Sequence, residues 1–185
     1  NNVEVSVNKE VAAQLKKLYP YKTFLTLRRD DSIDSLFVFD SVPVMWDGIT
    51  IPNCQITNNP KFAYEKNFFG AQLMHRFNFI LNYGADQGDN LYIQPGKDFE
   101  QQRAMPIISV FGLNVGEREQ GIIVNRLEPD GIAAKAGIAL GDVVLELDGR
   151  APRALLTSQD FIRYTADKKE IRLRIKDKGE MQLAL

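Results

Sequence analysis

The sequence predicts a mainly β protein with short helices, and three patterns lead to this prediction. Gly121 opens a β-branched run at 122–124, which is followed by Pro, Asp and Gly at 129–131, as is typical of a short buried strand and a turn. Apolar and charged residues alternate along 171–175, as in a strand with one wet face. Asp-Gly dipeptides at 47–48 and 148–149 each follow an apolar run and favour hairpin turns.

Length and composition favour two small domains over disorder. The chain has 185 residues, of which 44% are hydrophobic, so each half can bury a core. The net charge is −1, and no basic patch of the kind that binds nucleic acid stands out. The apolar runs are far shorter than the ~20 residues of a membrane span. The sequence contains no signal peptide, so we expect a mature or excised piece, without a nucleic-acid partner or a membrane span.

A dense series of strand and turn signals occupies residues 110–150. A strand at 122–124 is followed by a one-turn helix that ends at Gly137, a Gly-Asp turn at 141–142 and a second strand at 143–147. This order strongly resembles the PDZ family of peptide-binding domains. The resemblance implies a PDZ fold, which is a β-sandwich or partly open barrel with two helices.

The resemblance also implies a binding loop, because PDZ domains receive a peptide's C-terminal carboxylate on an apolar-Gly-apolar loop. That pattern is Phe111-Gly112-Leu113 here, and a glycine lets several backbone N–H groups point into one concavity. We predict a carboxylate-binding loop formed by Phe111, Gly112, Leu113 and Asn114, with Val115 as the first groove residue along the strand that a peptide would join. The alternative is a simple β-turn whose groove is occupied by the protein's own chain.

A helix at 155–166 is expected to form the opposite wall of the groove. Two pairs of side chains on this helix could face the peptide, namely Phe161 with Tyr164 or Ile162 with Thr165. We favour Phe161 and Tyr164. The expected partners are peptide or protein C-termini, or an intramolecular segment.

The first half begins with an amphipathic pattern. Asn8 is placed to cap a helix at 9–18, in which Val11, Leu15 and Leu18 fall on one face. The sequence therefore predicts a helix that packs on a core along this face.

The segment 67–95 carries the strongest resemblance of the first half. Its Phe-Phe-Gly at 68–70 is an apolar strand end stopped by glycine, and residues 71–76 can form a short helix before an alternating strand. Together with the hairpin at 42–51, this order resembles the closing half of a retropepsin-like aspartyl protease lobe. The resemblance covers residues 3–95 and implies a partial β lobe.

One feature of that family is absent from the chain. Aspartyl proteases activate water between two aspartates, each on an Asp-Thr/Ser-Gly loop, and the sequence contains neither tripeptide. In the family this loop would lie immediately before the stretch with which the chain begins, so we assign no catalytic residue and expect the fragment by itself to be inactive. The parent is then a bacterial aspartic endopeptidase whose PDZ module recognises substrates or partners, or a non-catalytic scaffold with a degenerate lobe.

The predicted organisation is a partial protease-like lobe at 1–96, a polar linker at 97–106 and a PDZ domain at 107–185. Aspartyl-protease half-lobes pair across a two-fold axis, which implies a homo-oligomer or pairing with a second lobe. Bacterial proteins of this kind are usually exported, so the resemblance implies a periplasmic or other extracytoplasmic location.

Four other candidates receive structural interpretations. His75 is the one histidine and lies on a short predicted helix, so we expect a surface or half-buried residue rather than a base or ligand. Cys54 is predicted to be a buried thiol, and Trp46 a core or lobe-contact residue. The aspartates at 30–34 lack the ligand spacing of an EF-hand, which favours a solvated turn. No metal and no cofactor are expected.

Overall fold

The computed structural model describes residues 4–58, 67–84, 88–97, 99–100, 106–152 and 157–185. Strands dominate these ranges and the helices, four within them, are short, which confirms the predicted mainly β fold class. None of the helices in the described ranges has the length and apolar character needed to cross a membrane. The chain divides into two compact units, namely Asn1–Lys22 with Phe37–Met105, and Thr23–Leu36 with Pro106–Leu185.

In chain order the elements are β1 (Val5–Val7), α1 (Lys9–Leu18), β2 (Lys22–Leu27), β3 (Ile33–Trp46), β4 (Ile49–Asn58), β5 (Phe68–Phe69), α2 (Ala71–Met74), β6 (Phe77–Gly84), β7 (Gly88–Pro95), β8 (Leu113–Arg118), β9 (Gly121–Leu127), α3 (Ile132–Lys135), β10 (Val144–Leu147), α4 (Ser158–Thr165), β11 (Glu170–Ile175) and β12 (Gly179–Ala184).

Strand β4 is central to the first unit. It pairs parallel with β1 and antiparallel with β3, and β1 pairs on its other side with β5. The β3–β4 hairpin turns at Asp47 and Gly48, whose φ angles are 48° and 77°, as the Asp-Gly signal predicts. Strands β6 and β7 form a separate antiparallel pair. The buried apolar core of this unit consists of Val5, Val7, Ala12, Phe39, Val42, Ile51, Cys54, Ile56, Leu73 and Phe77.

Helix α1 has the bounds that the sequence predicts. The side-chain oxygen of Asn8 accepts a hydrogen bond from the N–H of Val11 at 2.9 Å, which caps the helix. Val11 and Leu15 pack against the core of the first unit. Leu18, the last residue of the helix, is 73% exposed, so its prediction as a packed residue is wrong and the buried face ends at Leu15.

A buried ion pair joins distant parts of the first unit. The side chain of Arg76 is 0% exposed and its guanidinium contacts the carboxylate of Glu4, which is 1% exposed. The guanidinium also donates to the carbonyl oxygens of Pro52 at 2.7 Å and Asn53 at 3.2 Å, while Glu4 accepts from the N–H of Gln55 at 2.6 Å. The start of β1, the middle of β4 and the turn after α2 are therefore held together by charged groups inside the unit.

The second unit contains the β8–β9 pair, the antiparallel sheet β10–β11–β12, and helices α3 and α4. Its core takes the inward-facing residues of β11, as the alternating pattern predicts. The buried members are Phe111, Leu113, Val115, Ile122, Val124, Leu127, Ala133, Ile138, Val144, Leu147, Phe161, Ile171, Leu173, Ile175 and Leu183.

The second unit also includes residues 23–36, which the sequence analysis placed in the N-terminal lobe at 1–96. The reason is a long-range strand pairing, because β2 pairs antiparallel with β9, with Leu25 opposite Leu127 and Thr26 opposite Arg126. The division between the units falls at 105/106, at the end of the predicted linker, most of which lies outside the described residues.

The residues that were predicted to have structural rather than functional roles lie at the following places in the fold. His75 follows α2 and is exposed, and Cys54 is buried, where burial raises its pKa to about 11. Trp46 is half-buried and stacks with Phe69 at a ring distance of 4.9 Å. The side chain of Asp30 accepts from the N–H and the hydroxyl of Ser32, as in a solvated turn. No group of three or more His, Cys, Asp or Glu in the described part of the chain could hold a metal ion.

Candidate functional site

The loop before β8 holds the predicted glycine in a left-handed conformation. Gly112 has a φ of 76°, and its N–H donates to the carbonyl oxygen of Ser109 at 3.0 Å, which closes a tight turn. An added Cβ would lie 3.2 Å from the Cα of Gly131 and 3.2 Å from a carboxylate oxygen of Glu128. Both the backbone conformation and the available space therefore favour glycine.

Backbone hydrogen bonds fasten this loop to its neighbours. The carbonyl of Phe111 accepts from the N–H of Ala133 in α3 at 3.0 Å, and that of Gly112 accepts from the N–H of Glu128 at 2.8 Å. The side chains of Phe111 and Leu113 are both fully buried in the core of the second unit. The apolar-Gly-apolar pattern thus has a local cause: the two apolar side chains anchor the loop, and the glycine makes the turn between them.

Polar side chains hold the segment that leads into the loop. Asn114 and Arg126 donate to the carbonyl of Ile107 at 3.3 and 2.6 Å. The N–H and the hydroxyl of Ser109 both donate to the carbonyl of Leu113, at 3.2 and 2.7 Å. Burial lowers the pKa of Arg126. Ser109 and Arg126 were not predicted from the sequence, although a charged residue inside the apolar strand 121–127 was a signal for Arg126.

The outer edge of β8 pairs with no strand in the described part of the chain, because β8 is the last strand after β9. Helix α4 contacts β8, and the hydroxyl of Ser158 donates to the carbonyl of Val115 at 2.7 Å. The helix begins after Thr157, whose hydroxyl oxygen accepts from the N–H of Asp160 at 3.1 Å. A strand edge therefore faces a helix, which is the arrangement that the predicted groove needs.

The structure brings most of the predicted site together. Phe111, Leu113, Val115 and Phe161 share one buried cluster, and Asn114 is buried beside them. These side chains form part of the core of the second unit. Their role in peptide binding stays a prediction.

Tyr164 is placed differently from the other predicted groove residues. Its hydroxyl donates to the carboxylate of Asp148 at 2.8 Å, in the turn after β10. Phe161, Ile162 and Thr165 lie three, four and seven positions after Ser158, which bonds to β8, so all of them share its side of the helix. Of the favoured pair, Phe161 therefore lies on the β8 side, whereas the phenol of Tyr164 has its polar partner elsewhere.

Asp148 is the centre of a hydrogen-bonded cluster that the sequence analysis treated only as a turn. Its carboxylate accepts from the hydroxyl of Tyr164 at 2.8 Å, the ammonium of Lys168 at 2.7 Å and the N–H of Arg172 at 2.8 Å. Burial by itself raises the pKa of Asp148, but the hydrogen bonds from Lys168, Arg172 and Tyr164 outweigh it and lower the pKa below its ordinary value. The bond to Asp148 raises the pKa of Lys168. The cluster joins α4 to β11.

A cavity of about 600 Å³ opens beside this cluster on the second unit. Charged side chains dominate its lining, and opposite charges pair within it, as Arg174 does with Glu146. Of the predicted site residues only Tyr164 lines it. The cavity therefore shares only Tyr164 with the predicted peptide groove.

Residues 123–177 match the family model of the PDZ domain. No match to the curated proteins was found. Similar solved structures include the HtrA-type protease AlgW with a decapeptide (13% identity, TM-score 0.35, 88% of this chain and 59% of that chain), an AlgW variant with a tripeptide (13%, 0.34, 91% and 66%) and the serine endoprotease from Yersinia pestis (16%, 0.31, 88% and 61%). This chain thus spans less than two thirds of their length.

The family match supports the order of turns and strands from which the domain was predicted. It includes α3, β10, α4 and β11, and it lies within the second unit. The loop at 111–115 lies outside the matched range. The second half of this chain contains a PDZ domain.

Proposed function

We propose that the second unit binds the C-terminus of a peptide or protein as an added strand along β8. The observation that carries this proposal is the outer edge of β8, which starts at the Gly112 turn and faces α4. An extended peptide can bond its backbone to such an edge, while side chains on the flanking helix select its residues. The PDZ match supports this class of function.

The peptide carboxylate is proposed to bind at the loop formed by Phe111, Gly112, Leu113 and Asn114. The N–H of Gly112 is engaged with Ser109, so the flanking N–H groups of Phe111 and Leu113 are the proposed donors. The surrounding side chains are apolar and buried. We therefore expect an apolar last residue on the peptide.

The test compares fluorescein-labelled hexapeptides that end in Val, Leu or Phe, each with a free carboxylate or a C-terminal amide. Fluorescence anisotropy with the whole 185-residue chain is expected to show that the acid forms bind more tightly. A carboxylate that accepts backbone N–H groups contributes about 1.5–3 kcal/mol, or roughly a tenfold or larger difference in affinity. Equal binding of acid and amide would mean that the carboxylate loop is not used.

Replacement of Gly112 by alanine tests the loop directly. Its left-handed backbone costs a residue with a Cβ about 1–2 kcal/mol, and the tight contacts to Gly131 and Glu128 add to this. We expect a lower melting temperature and about tenfold weaker binding of the free-carboxylate peptides. Gly179→Ala is the matched control, because Gly179 has a φ of 83° and open space around an added Cβ. Equal loss of affinity in both variants would contradict the proposal.

We further propose that the first unit is part of a retropepsin-like aspartyl protease lobe that the PDZ domain serves in the parent protein. The observation that supports this is local: β5 ends at Phe69 and Gly70 is the N-cap of α2, which is the strand-Gly-helix order on which the resemblance rests. Acid-range cleavage by the full-length parent, abolished by a transition-state-mimicking aspartyl protease inhibitor, would support it. A full-length protein that leaves peptides intact at any pH would instead favour the non-catalytic scaffold.

Pairing with a second copy or lobe, and an extracytoplasmic location of the parent, are proposed on the resemblance alone. Sedimentation of the purified chain tests the first, and a strict monomer at high concentration would count against self-association. Cell fractionation of the parent tests the second, and recovery in the cytoplasmic fraction would contradict it.

A further inference from the structure

The outer edge of β8 is already bonded to other parts of the second unit. The carbonyl of Leu113 accepts from the N–H and the hydroxyl of Ser109, and the carbonyl of Val115 accepts from the hydroxyl of Ser158 at 2.7 Å. The N–H of Val115 donates to the side-chain oxygen of Asn114 at 2.9 Å. Backbone groups that an added strand would use are therefore occupied.

Strand geometry shows that the carbonyls of Leu113 and Val115 lie on the outer side of β8, away from β9. The carbonyl of Gly112 points to the β9 side, where it accepts from the N–H of Glu128. Carbonyls alternate along a strand, so those of Leu113 and Val115 point to the opposite side. The bulge in this pair leaves the alternation of β8 intact, because Asn125 of β9 is the extra residue between the partners of Asn114 and Val115.

The three bonding side chains are not equally easy to displace. Asn114 is buried and also donates to Ile107, and Ser109 lies in the turn that Gly112 closes. Ser158 belongs to another element, is only partly buried, and holds Val115 through a neutral hydroxyl. Its bond is the one that a peptide N–H can replace without unfolding the loop.

We propose that the hydrogen bond between the Ser158 hydroxyl and the Val115 carbonyl closes the peptide groove, and that an entering peptide strand must displace it. This inference rests on the proposed peptide-binding function. It assigns to Ser158 the role of a positioning residue that keeps α4 against β8 in the free protein. The outward carbonyl of Val115 is then free to accept a peptide N–H only after this bond has opened.

Ser158→Ala is the direct test. It leaves the Thr157 cap in place, and alanine is a favourable helix residue. Because a neutral hydrogen bond is worth about 0.5–1.5 kcal/mol net, loss of the closing bond is expected to raise the affinity for the free-carboxylate hexapeptides about twofold to tenfold. Amide hydrogen exchange in α4 of the free protein is expected to accelerate to a similar degree. Gln159→Ala, one position along the helix, is the control and should change neither.

The outcomes separate this inference from the proposed function. If the unmodified protein binds the acid peptides and Ser158→Ala binds them equally or more weakly, the closing role is overturned while peptide binding stands. If exchange in α4 is unchanged in Ser158→Ala, the bond does not hold the helix, and the closing role is again overturned. If neither protein binds any of the acid peptides, the proposed function fails and the inference fails with it.

Discussion

Each unit contains a charged cluster that joins segments far apart in sequence, centred on Glu4 in the first unit and on Asp148 in the second, and the two clusters differ in burial. In the first unit the side chains of Arg76 and Glu4 are 0% and 1% exposed. In the second unit those of Lys168 and Asp148 are 33% and 23% exposed. Both carboxylates also accept a backbone N–H, from Gln55 and Arg172.

The difference in burial determines how much each cluster contributes to the stability of its unit. Water cannot solvate a charge left behind in the first unit, so each partner there depends on the other. In the second unit water screens the Asp148–Lys168 pair, and much of the contribution comes from the fixed hydrogen bonds to the Asp148 carboxylate. Loss of a single partner is therefore expected to cost much more stability in the first unit than in the second.

The largest loss of stability is expected for Arg76→Met. The substitution leaves the carboxylate of Glu4 buried without its partner and removes the bonds to Pro52 and Asn53. We expect a loss of about 3–5 kcal/mol in the free energy of unfolding, measured by urea titration. The double variant Glu4→Gln with Arg76→Met should recover part of this loss, because the orphaned charge is gone. A single variant as stable as the unmodified protein would show that the ion pair is not needed.

An intermediate loss of stability is expected for Asp148→Asn. The amide retains the turn but weakens the bonds from Tyr164 and Lys168, so we expect a loss of about 1–2 kcal/mol at neutral pH. Asp47→Asn is the matched control, because Asp47 holds the same place in an Asp-Gly turn and is exposed. Thermal melts of both variants should show a decrease for Asp148 alone.

The same variant carries a pH dependence with a definite sign. The folded-state pKa of Asp148 is lowered from its ordinary value of 3.8, so the stabilisation is complete above that value and is lost as the pH falls through the lower folded pKa. The stability difference between Asp148→Asn and the unmodified protein should therefore shrink below pH 3.8. A difference that grew on acidification would contradict the assignment.

The smallest effect is expected for Tyr164→Phe. The change removes one donor to Asp148 and leaves the ring against the core. We expect a loss of about 0.5–1 kcal/mol and no change in the affinity for acid peptides, because the Tyr164 hydroxyl bonds to Asp148 and not to β8. Tyr92→Phe, at an exposed position of the first unit, serves as the control. A clear loss of peptide affinity in Tyr164→Phe would show that the hydroxyl of Tyr164 takes part in peptide binding.

The sequence by itself determined the features that depend on neighbouring residues. The bounds of α1 followed from the Asn8 cap and the helical spacing, and the Asp-Gly turn after β3 followed from its dipeptide. The position of the left-handed Gly112 and the inward face of β11 followed from short patterns of the same kind. Capping, turn conformation and strand alternation act over a few residues, so the sequence displays them directly.

The tertiary structure decided what depends on partners distant in the chain. The inclusion of 23–36 in the second unit requires the pairing of β2 with β9, and the burial of Arg76 requires Glu4, which is far away in sequence. The partner of Tyr164 and the closing contact of Ser158 are likewise long-range. No local pattern specifies such partners, because hydrogen bonds and ion pairs between distant segments form only once the packing of the core has brought those segments together.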